Sequence, residues 1–532
     1  MLNLNSLIKN SSLFFAFGAV GFFSSQTRAE TRADEKTEQS EVLTLVIDQG
    51  ADLEHQSISS LRHQNEEEFH GQTRSDDDGD GFSDNVSGWN HLSQDPQYMP
   101  EYLLAFFKGN PEQTRKDLGI YSRIEKGDEK AIQEYSSDLK LQNRIGLLLD
   151  SAHGTHVAGI VALQGGPKVR IHNLNIFSPS SLNQTGNPDF RIFSAREQIR
   201  ELNLKALALK PDVGSIFDSK ETVNELVQER ASDTRESLEK MTKYISAVQP
   251  RVVNLSLGTS LALIYTLYQS YWRMELMGRK LDPNTAMTEI QKKNFSIAVA
   301  GTFAAHKQEW ARMFSTLPKI MFVVAAGNDG SPYDSTYGNL DVMDAVPASL
   351  AEYFPNVVTV VATDSKGALT DFSNFSAKRS TLGAFGKAVA SAAPDNNYVQ
   401  MSGTSMAAPF VAGVVAQMIS ENPKLKVTEL RKLLEKSVTP HLTLKGKTAS
   451  GGNLNKEMAI AAARKSKSSL FGDLLEEIGN WNNSPENILL KPILNRSLGL
   501  NEFFDAPDTE SETAEKTHEI VRKRMSSWAA LF

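Results

Sequence analysis

Four polar residues sit at the edges of apolar stretches in this sequence, and together they could do chemistry. Asp48 ends the run VLTLVID, His153 opens HGTHVAGIVAL, Asn328 ends IMFVVAAGN, and Ser405 lies at the head of SGTSMAAPFVAGVVAQ. A serine hydroxyl is a poor nucleophile until a base takes its proton. An imidazole can be that base and can later return the proton to a leaving amine, while a carboxylate behind it fixes the tautomer and stabilises the imidazolium. An attacked carbonyl gains negative charge on its oxygen, which an amide N–H and a backbone N–H at a helix start can receive. An acid, an imidazole, an amide and a hydroxyl are the parts of an acyl transfer, provided that the fold brings them together. Each also has a purely structural reading. Ser405 can cap a helix, and Asp48 and Asn328-Asp329-Gly330 can form turns. His153 and His156 can be two zinc ligands on one helical turn, although no Glu lies between them and a third ligand must come from elsewhere.

The elements that must position these groups are legible as alternating patterns. Val42 to Gly50, Val169 to Phe177, Arg251 to Gly258, Ile320 to Asn328 and Asn356 to Thr363 are β-branched and apolar on both faces. That is what parallel strands buried between two helix layers require. Between them lie helical patterns: Leu238, Met241, Ile245 and Val248 on one face, then Leu261 to Met277 and Ala304 to Leu317. The expected fold is α/β, a doubly wound and mostly parallel sheet with helices on both faces. In such sheets reactive groups collect at the carboxyl ends of strands and the helix starts that follow. Three segments, 92–149, 178–231 and 259–300, look inserted, and 465–532 changes to polar sequence with scattered apolar clusters and reads as a C-terminal extension to a domain over 42–464.

Composition narrows the classes of function. Hydrophobic residues make up 40% and charged residues 23% of the 532, so the chain is globular. The net charge is −8 and no basic stripe stands out, which argues against nucleic acid as a partner. The chain has no cysteine, which excludes disulfides, zinc–thiolate sites, thiol nucleophiles and a lipid-anchored N-terminal cysteine. Residues 1–29 carry an early Lys9, an apolar stretch from Leu13 to Phe23 and a small, polar end at Ala29, the layout of a cleaved signal peptide. A short polar segment, 30–41, follows. No later stretch reads as long and apolar enough to span a bilayer, so the expectation is an exported protein, secreted or periplasmic, without a stable membrane anchor.

The blocks LVIDQG, HGTHVAGIVA, VVNLSLG, VVAAGNDG and SGTSMAAPFVAGVVA, in this order, resemble the signature blocks of the subtilisin-like serine peptidases. The resemblance covers about Val42 to Ala463 and implies a serine endopeptidase acting on polypeptides, with Asp48, His153 and Ser405 as its triad and Asn328 in the oxyanion hole. It selects His153 over His156, which spacing alone could not. It further implies that Ser256, Leu257 and Gly258 form one wall of the substrate cleft, pairing with the peptide as an added strand, and that Ala325, Ala326 and Gly327 line the opposite wall. Gln49 departs from the small hydroxyl residue usual after the Asp, and 30–41 is too short for the family's common folding propeptide.

Two secondary features stand apart. DDDGDGFSDN spaces Asp76, Asp78, Asp80 and Asp84 around Gly81, as at the start of a calcium loop, although Ser87 stands where an EF-hand places its bidentate Glu. Either a structural calcium or a solvated acidic turn fits; no cofactor is expected for catalysis. Asp329 is either a turn residue or a rim charge that favours cleavage after basic residues. Against the peptidase stand two other classes: an inactive scaffold of the same fold that binds a partner, and a zinc hydrolase built on His153 and His156.

Overall fold

The computed structural model describes residues 40–176, 214–334 and 336–466. The expected signal peptide, nearly all of segment 30–41, residues 178–213 of the second insertion and the C-terminal extension past Ser466 lie outside the described residues.

Strand β1 (Val42–Asp48) is followed by the short helix α1 (Glu66–His70) and strand β2 (Gly88–Asn90). Four helices then precede β3 (Val169–Asn175): α2 (Glu101–Gly109), α3 (Pro111–Ile124), α4 (Glu129–Ser137) and α5 (Leu139–Gly165). Next come α6 (Lys220–Val248), β4 (Val252–Leu255), β5 (Thr259–Ser260), α7 (Leu261–Gly278), α8 (Glu289–Thr316), β6 (Met321–Ala325), β7 (Ala345–Val346), β8 (Val357–Thr363) and β9 (Leu382–Phe385). The hairpin β10 (Val389–Ala393) and β11 (Asn397–Met401) leads into α9 (Thr404–Glu421), and α10 (Val427–Lys436), β12 (Val438–Pro440), β13 (Gly452–Leu454) and α11 (Lys456–Lys465) complete the described chain.

Nine strands form one sheet in the order β12-β13-β9-β8-β6-β4-β1-β3-β2, parallel except where β12 meets β13. Because side chains alternate along a strand, both faces are apolar and each feeds its own core. Leu45, Ile47, Val253, Leu255, Phe322 and Val324 join one, with Met241 of α6, Tyr268 of α7 and Phe303 of α8. Val42, Val46, Val252, Met321 and Val323 join the other, with Val157 of α5, Val411 of α9 and Leu430 of α10. From β1 the chain first builds β3 and β2 on one side, then β4 and its successors on the other. The winding therefore reverses between β1 and β4, where doubly wound sheets open a crevice at their carboxyl ends. Ile47 pairs with Leu255, so Asp48 and Ser256 stand level at that crevice.

Helices run through the expected bounds of the inserted segments. Asp138 caps α5, its carboxylate accepting from Lys140 and Leu141 N–H, and the helix runs unbroken through Leu149. Leu141, Ile145, Leu148 and Ala152 keep one buried stripe across the expected boundary, so His153 lies well inside a long helix and not at its opening. Likewise α6 passes through residue 231, and α8 begins at Glu289 because Thr288 and Gln291 form a capping box. Contrary to the sequence expectation, α5 is long and apolar enough to cross a membrane, but 72% of its most apolar window is buried in this fold, as for a core helix.

Helix α5 lies against the end of β1 with no room to spare. A Cβ on Gly154 would sit 2.4 Å from the Gln49 carbonyl oxygen, a backbone atom that cannot swing aside. Gly154→Ala should therefore lower stability by about 1–3 kcal/mol through overpacking and push His153 off Asp48. Denaturant titration with a parallel activity assay checks both; an unchanged midpoint would contradict this packing.

Candidate active site

Asp48, the last residue of β1, is buried, and its Oδ1 accepts hydrogen bonds from Gln49 N–H and from His153 Nδ1, each at 2.7 Å. His153, projecting from α5, keeps 22% of its side chain exposed, so the imidazole bridges a buried carboxylate and the crevice. Burial pushes its pKa down, but the charge of Asp48, the hydrogen bond to it and the charge of Asp150 outweigh burial and hold it above the ordinary histidine value. Asp48 Oδ2 and Gln49 Oε1 are both buried with no hydrogen-bond partner among the described residues. Gln49 is buried as well as unusual in sequence: its amide oxygen, an acceptor, is sealed inside without a donor.

Ser405 enters the same rim from α9. That helix begins at Thr404 with Gly403 as its N-cap and no side-chain cap, so the capping role expected of Ser405 is not found and its hydroxyl is uncommitted to the helix. Pro409, inside the helix, has no N–H to offer the carbonyl four residues back. That carbonyl is Ser405 O, and it accepts from Ser256 Oγ at 2.8 Å instead. In return Ser405 Oγ donates to Ser256 O at 3.3 Å. Ser405 is therefore docked on the end of β4, one strand over from Asp48, roughly 5 Å in a sheet. Among the described residues no hydrogen bond joins Ser405 to His153.

Thr404 orders the neighbouring amide. Its N–H and its Oγ1 both donate to Asn328 Oδ1, at 2.9 and 3.1 Å, while Gly327 N–H donates to Thr404 Oγ1 at 3.0 Å. With Oδ1 held this way, Asn328 turns Nδ2 toward the nucleophile loop. A Cβ built on Gly403 would lie 3.5 Å from Asn328 Nδ2 and 3.6 Å from Ser405 N, so the two donors flank one small space.

Of the expected cleft walls, Leu257 is half-buried and Gly258 exposed, but the Ser256 side chain is spent on Ser405. On the other wall Ala325 is buried, and Ala326 is a correction. It has no exposed surface, packs with Val361, Phe375 and Leu444, and uses its N–H on Val360 O. It cannot line a cleft, because the parallel ladder to β8 continues through it; only Gly327 of the three is partly open. Asp329 is braced by Asn374, whose Nδ2 donates to its Oδ2 at 3.0 Å and whose Oδ1 accepts from its N–H at 2.7 Å, which favours the turn role.

His156 is a core residue. Its Nε2 donates to the carbonyls of Val389 and Val399, stapling the β10–β11 hairpin to α5, and burial with the nearby His153 pushes its pKa down to about 3. His156 Nε2 is spent on the hairpin and His153 Nδ1 on Asp48, and among the described residues neither histidine belongs to a group of three or more ligand side chains close enough to share a metal.

The acidic loop is only partly as expected. Carboxylate oxygens of Asp76 and Asp78 lie within 4.8 Å of each other and of Glu68 from α1. Asp80 turns away to accept from Phe82 N–H and Asn85 Nδ2, and Asp84 accepts from Arg74 N–H. Sequence reasoning missed Glu68, which precedes the loop, and Thr404, whose place before Ser405 was visible but whose partner was not.

The model of the "Subtilase family" matches residues 40–459. The chain is 32% identical over 157 residues to Subtilisin-like protease 1 of Plasmodium falciparum, covering 28% of this chain and 23% of that protein. It is 36% identical over 121 residues to Subtilisin DY of Bacillus licheniformis, covering 23% and 40%. With the Cell wall-associated protease of Bacillus subtilis it shares 36% over 118 residues, 22% of this chain and 12% of that one. The matches thus span less than half the length of each of these relatives. Among solved structures, the protease domain of PatA aligns over 82% of this chain and 100% of its own at 16% identity, with a TM-score of 0.39. Since the family model takes in the sheet and all four residues of the rim, the chain belongs to the subtilase family.

Proposed function

We propose that the chain is a serine endopeptidase that hydrolyses polypeptides through an acyl-enzyme on Ser405. The observation that carries this reading is the 2.7 Å bond from His153 to Asp48, set at the strand end beside the one that docks Ser405. Ser405 Oγ swings from Ser256 O toward the imidazole, His153 Nε2 takes its proton, and Oγ bonds to the substrate carbonyl carbon. His153 then gives that proton to the leaving amine as the C–N bond breaks. A water, deprotonated by the same imidazole, attacks the ester; the acid leaves and Ser405 recovers its proton. Asp48 accepts from Nδ1–H throughout. Asn328 Nδ2 and Ser405 N–H receive the developing oxyanion. The backbone of Ser256, Leu257 and Gly258 pairs with the substrate as an added strand, facing Gly327. No cofactor takes part in catalysis.

Two further parts of the reading go with it. The protein is exported, secreted or periplasmic, after loss of residues 1–29. A calcium ion is held by Glu68, Asp76 and Asp78, an all-oxygen set suited to a hard cation, and its role is structural. An inactive binding scaffold is the second reading, favoured by the Ser405 hydroxyl bonding to Ser256 O and not to His153.

A fluorophosphonate probe should label Ser405 covalently, with labelling lost in Ser405→Ala; a wild-type chain that stays unlabelled is the scaffold. The rate should also follow the protonation of His153, because only the neutral imidazole can take the serine proton. Since Asp48 and Asp150 raise that pKa, the acid limb of kcat/KM should have its midpoint above 6.5. Asp48→Asn should move the midpoint down and lower kcat on the order of 10⁴-fold; a midpoint that does not move would detach Asp48 from the base. Chelation should lower Tm by about 2–5 °C, and Asp76→Asn should remove that response. Calorimetry with and without EDTA decides, and equal melting in both leaves the loop an acidic turn.

A further inference from the structure

Glu125 follows α3, within the first inserted segment, and reaches the nucleophile loop. Ser402 Oγ donates to its Oε2, and Tyr121 OH donates to its Oε1 at 2.6 Å. Both donors are neutral hydroxyls. The carboxylate is half-buried, and among the described residues no cation pairs with it; the nearby Arg123 is turned to Asp128 and Glu134. Ser402 lies three positions before Ser405, a span of at most about 11 Å, so the carboxylate lies within a long side chain's reach of the reacting centre.

Its side of the cleft follows from the packing. Ser402 directly follows the β10–β11 hairpin, which His156 and Ser391 fasten to α5: His156 Nε2 donates to Val389 O and Val399 O, and Ser391 Oγ donates to His156 O at 2.8 Å. Helix α3 is fastened to α5 as well, through the paired bonds from Arg144 to Asp117 at 2.7 and 3.2 Å. Glu125 is therefore held by the helix that carries His153, whereas residues 256–258 follow β4. His153 must hand its proton to the departing amine, so the His153 side is where the leaving group sits.

We infer that Glu125 is a specificity-determining residue, receiving an arginine or lysine side chain of the substrate on the leaving-group side of the scissile bond. This rests on the peptidase reading. A half-buried carboxylate satisfied only by hydroxyls keeps lone pairs and its full charge for a cation, and a cationic side chain there gains an attraction that water screens only in part.

The test uses two peptides that differ only in the first residue after the scissile bond, Arg in one and Leu in the other, with the full-length protein and its Glu125→Gln and Glu125→Lys variants. The ratio of kcat/KM, Arg over Leu, should favour Arg in the wild type and fall about five- to tenfold in Glu125→Gln, which still accepts from Ser402. It should invert in Glu125→Lys, and rising salt should shrink the wild-type ratio. A ratio that stays constant while both peptides slow equally overturns the inference and leaves Glu125 a tether for Ser402. Fluorophosphonate labelling of the same samples separates the two levels. A labelled protein with an unchanged ratio defeats this assignment alone, whereas an unlabelled wild type defeats the peptidase reading with it.

Discussion

A missing N–H fixes the geometry on which the rest of the rim depends. Pro409 cannot bond back to Ser405 O, and an unpaired buried carbonyl is costly, on the order of 1–3 kcal/mol. Ser256 Oγ removes that cost and in doing so ties the first turn of α9 to the end of β4. The tie matters because β4 and β1 flank the reversal of winding. Once the ladder sets Ile47 beside Leu255, whatever is tied to Ser256 is carried to within one strand spacing of whatever ends β1. A helix that satisfied its own carbonyls would have no such reason to seat here. The proline therefore converts a weakness in one helix into a positional restraint between two distant parts of the chain.

The second restraint is electrostatic, and its pH behaviour opposes the chemistry it serves. Asp48 is buried, and its charge is stabilised by one N–H and one imidazole, with Oδ2 left unpartnered. A histidine whose pKa is raised in the fold adds stability that is fully present below the unfolded value and fades as pH rises through the folded one. The base works only after that same proton has left. Stability from this pair and reactivity at Ser405 thus trade against each other across the window above the ordinary histidine value. The hydrogen bond from Nδ1 survives deprotonation, which keeps the ring oriented after the charge has gone.

What the sequence disclosed followed from how local the cause was. The strands β1, β4, β6 and β8 were legible because burial on both faces leaves no polar alternation. Val42, Val46 and Val323 feed one core, and Leu45, Ile47 and Val324 the other. Helix starts were less legible. Asp138 caps α5 far upstream of His153, and the polar outer face of residues 139–149 hides the stripe of Leu141, Ile145 and Leu148. The Thr288–Gln291 box that starts α8 was readable and outweighed by the seemingly inserted composition around it. Roles that arise only when distant segments meet could not be read at all. Glu68 closes on Asp76 and Asp78 through a folded loop, Thr404 orders Asn328, and Ala326 is sealed by Phe375 and Leu444.

The unbroken course of α5 changes what the first insertion can do. An excursion from a surface loop would move independently of the rim. Here the same helix packs against Ile120 and Ala131 of the inserted helices at its start and against the main core from Leu148 onward, with His153 in the second part. Long helices curve gently and kink sharply mainly at proline or comparable breaks, and α5 contains no proline. The helices of residues 101–137 thus pack on the same helix that carries the imidazole, while Glu125 ties them to the loop that presents Ser405. A displacement of the insertion would move base and nucleophile together or strain the bond between Glu125 and Ser402. Through α5 and the bond from Ser402 to Glu125, residues 92–149 are packed and bonded to the elements that form the rim.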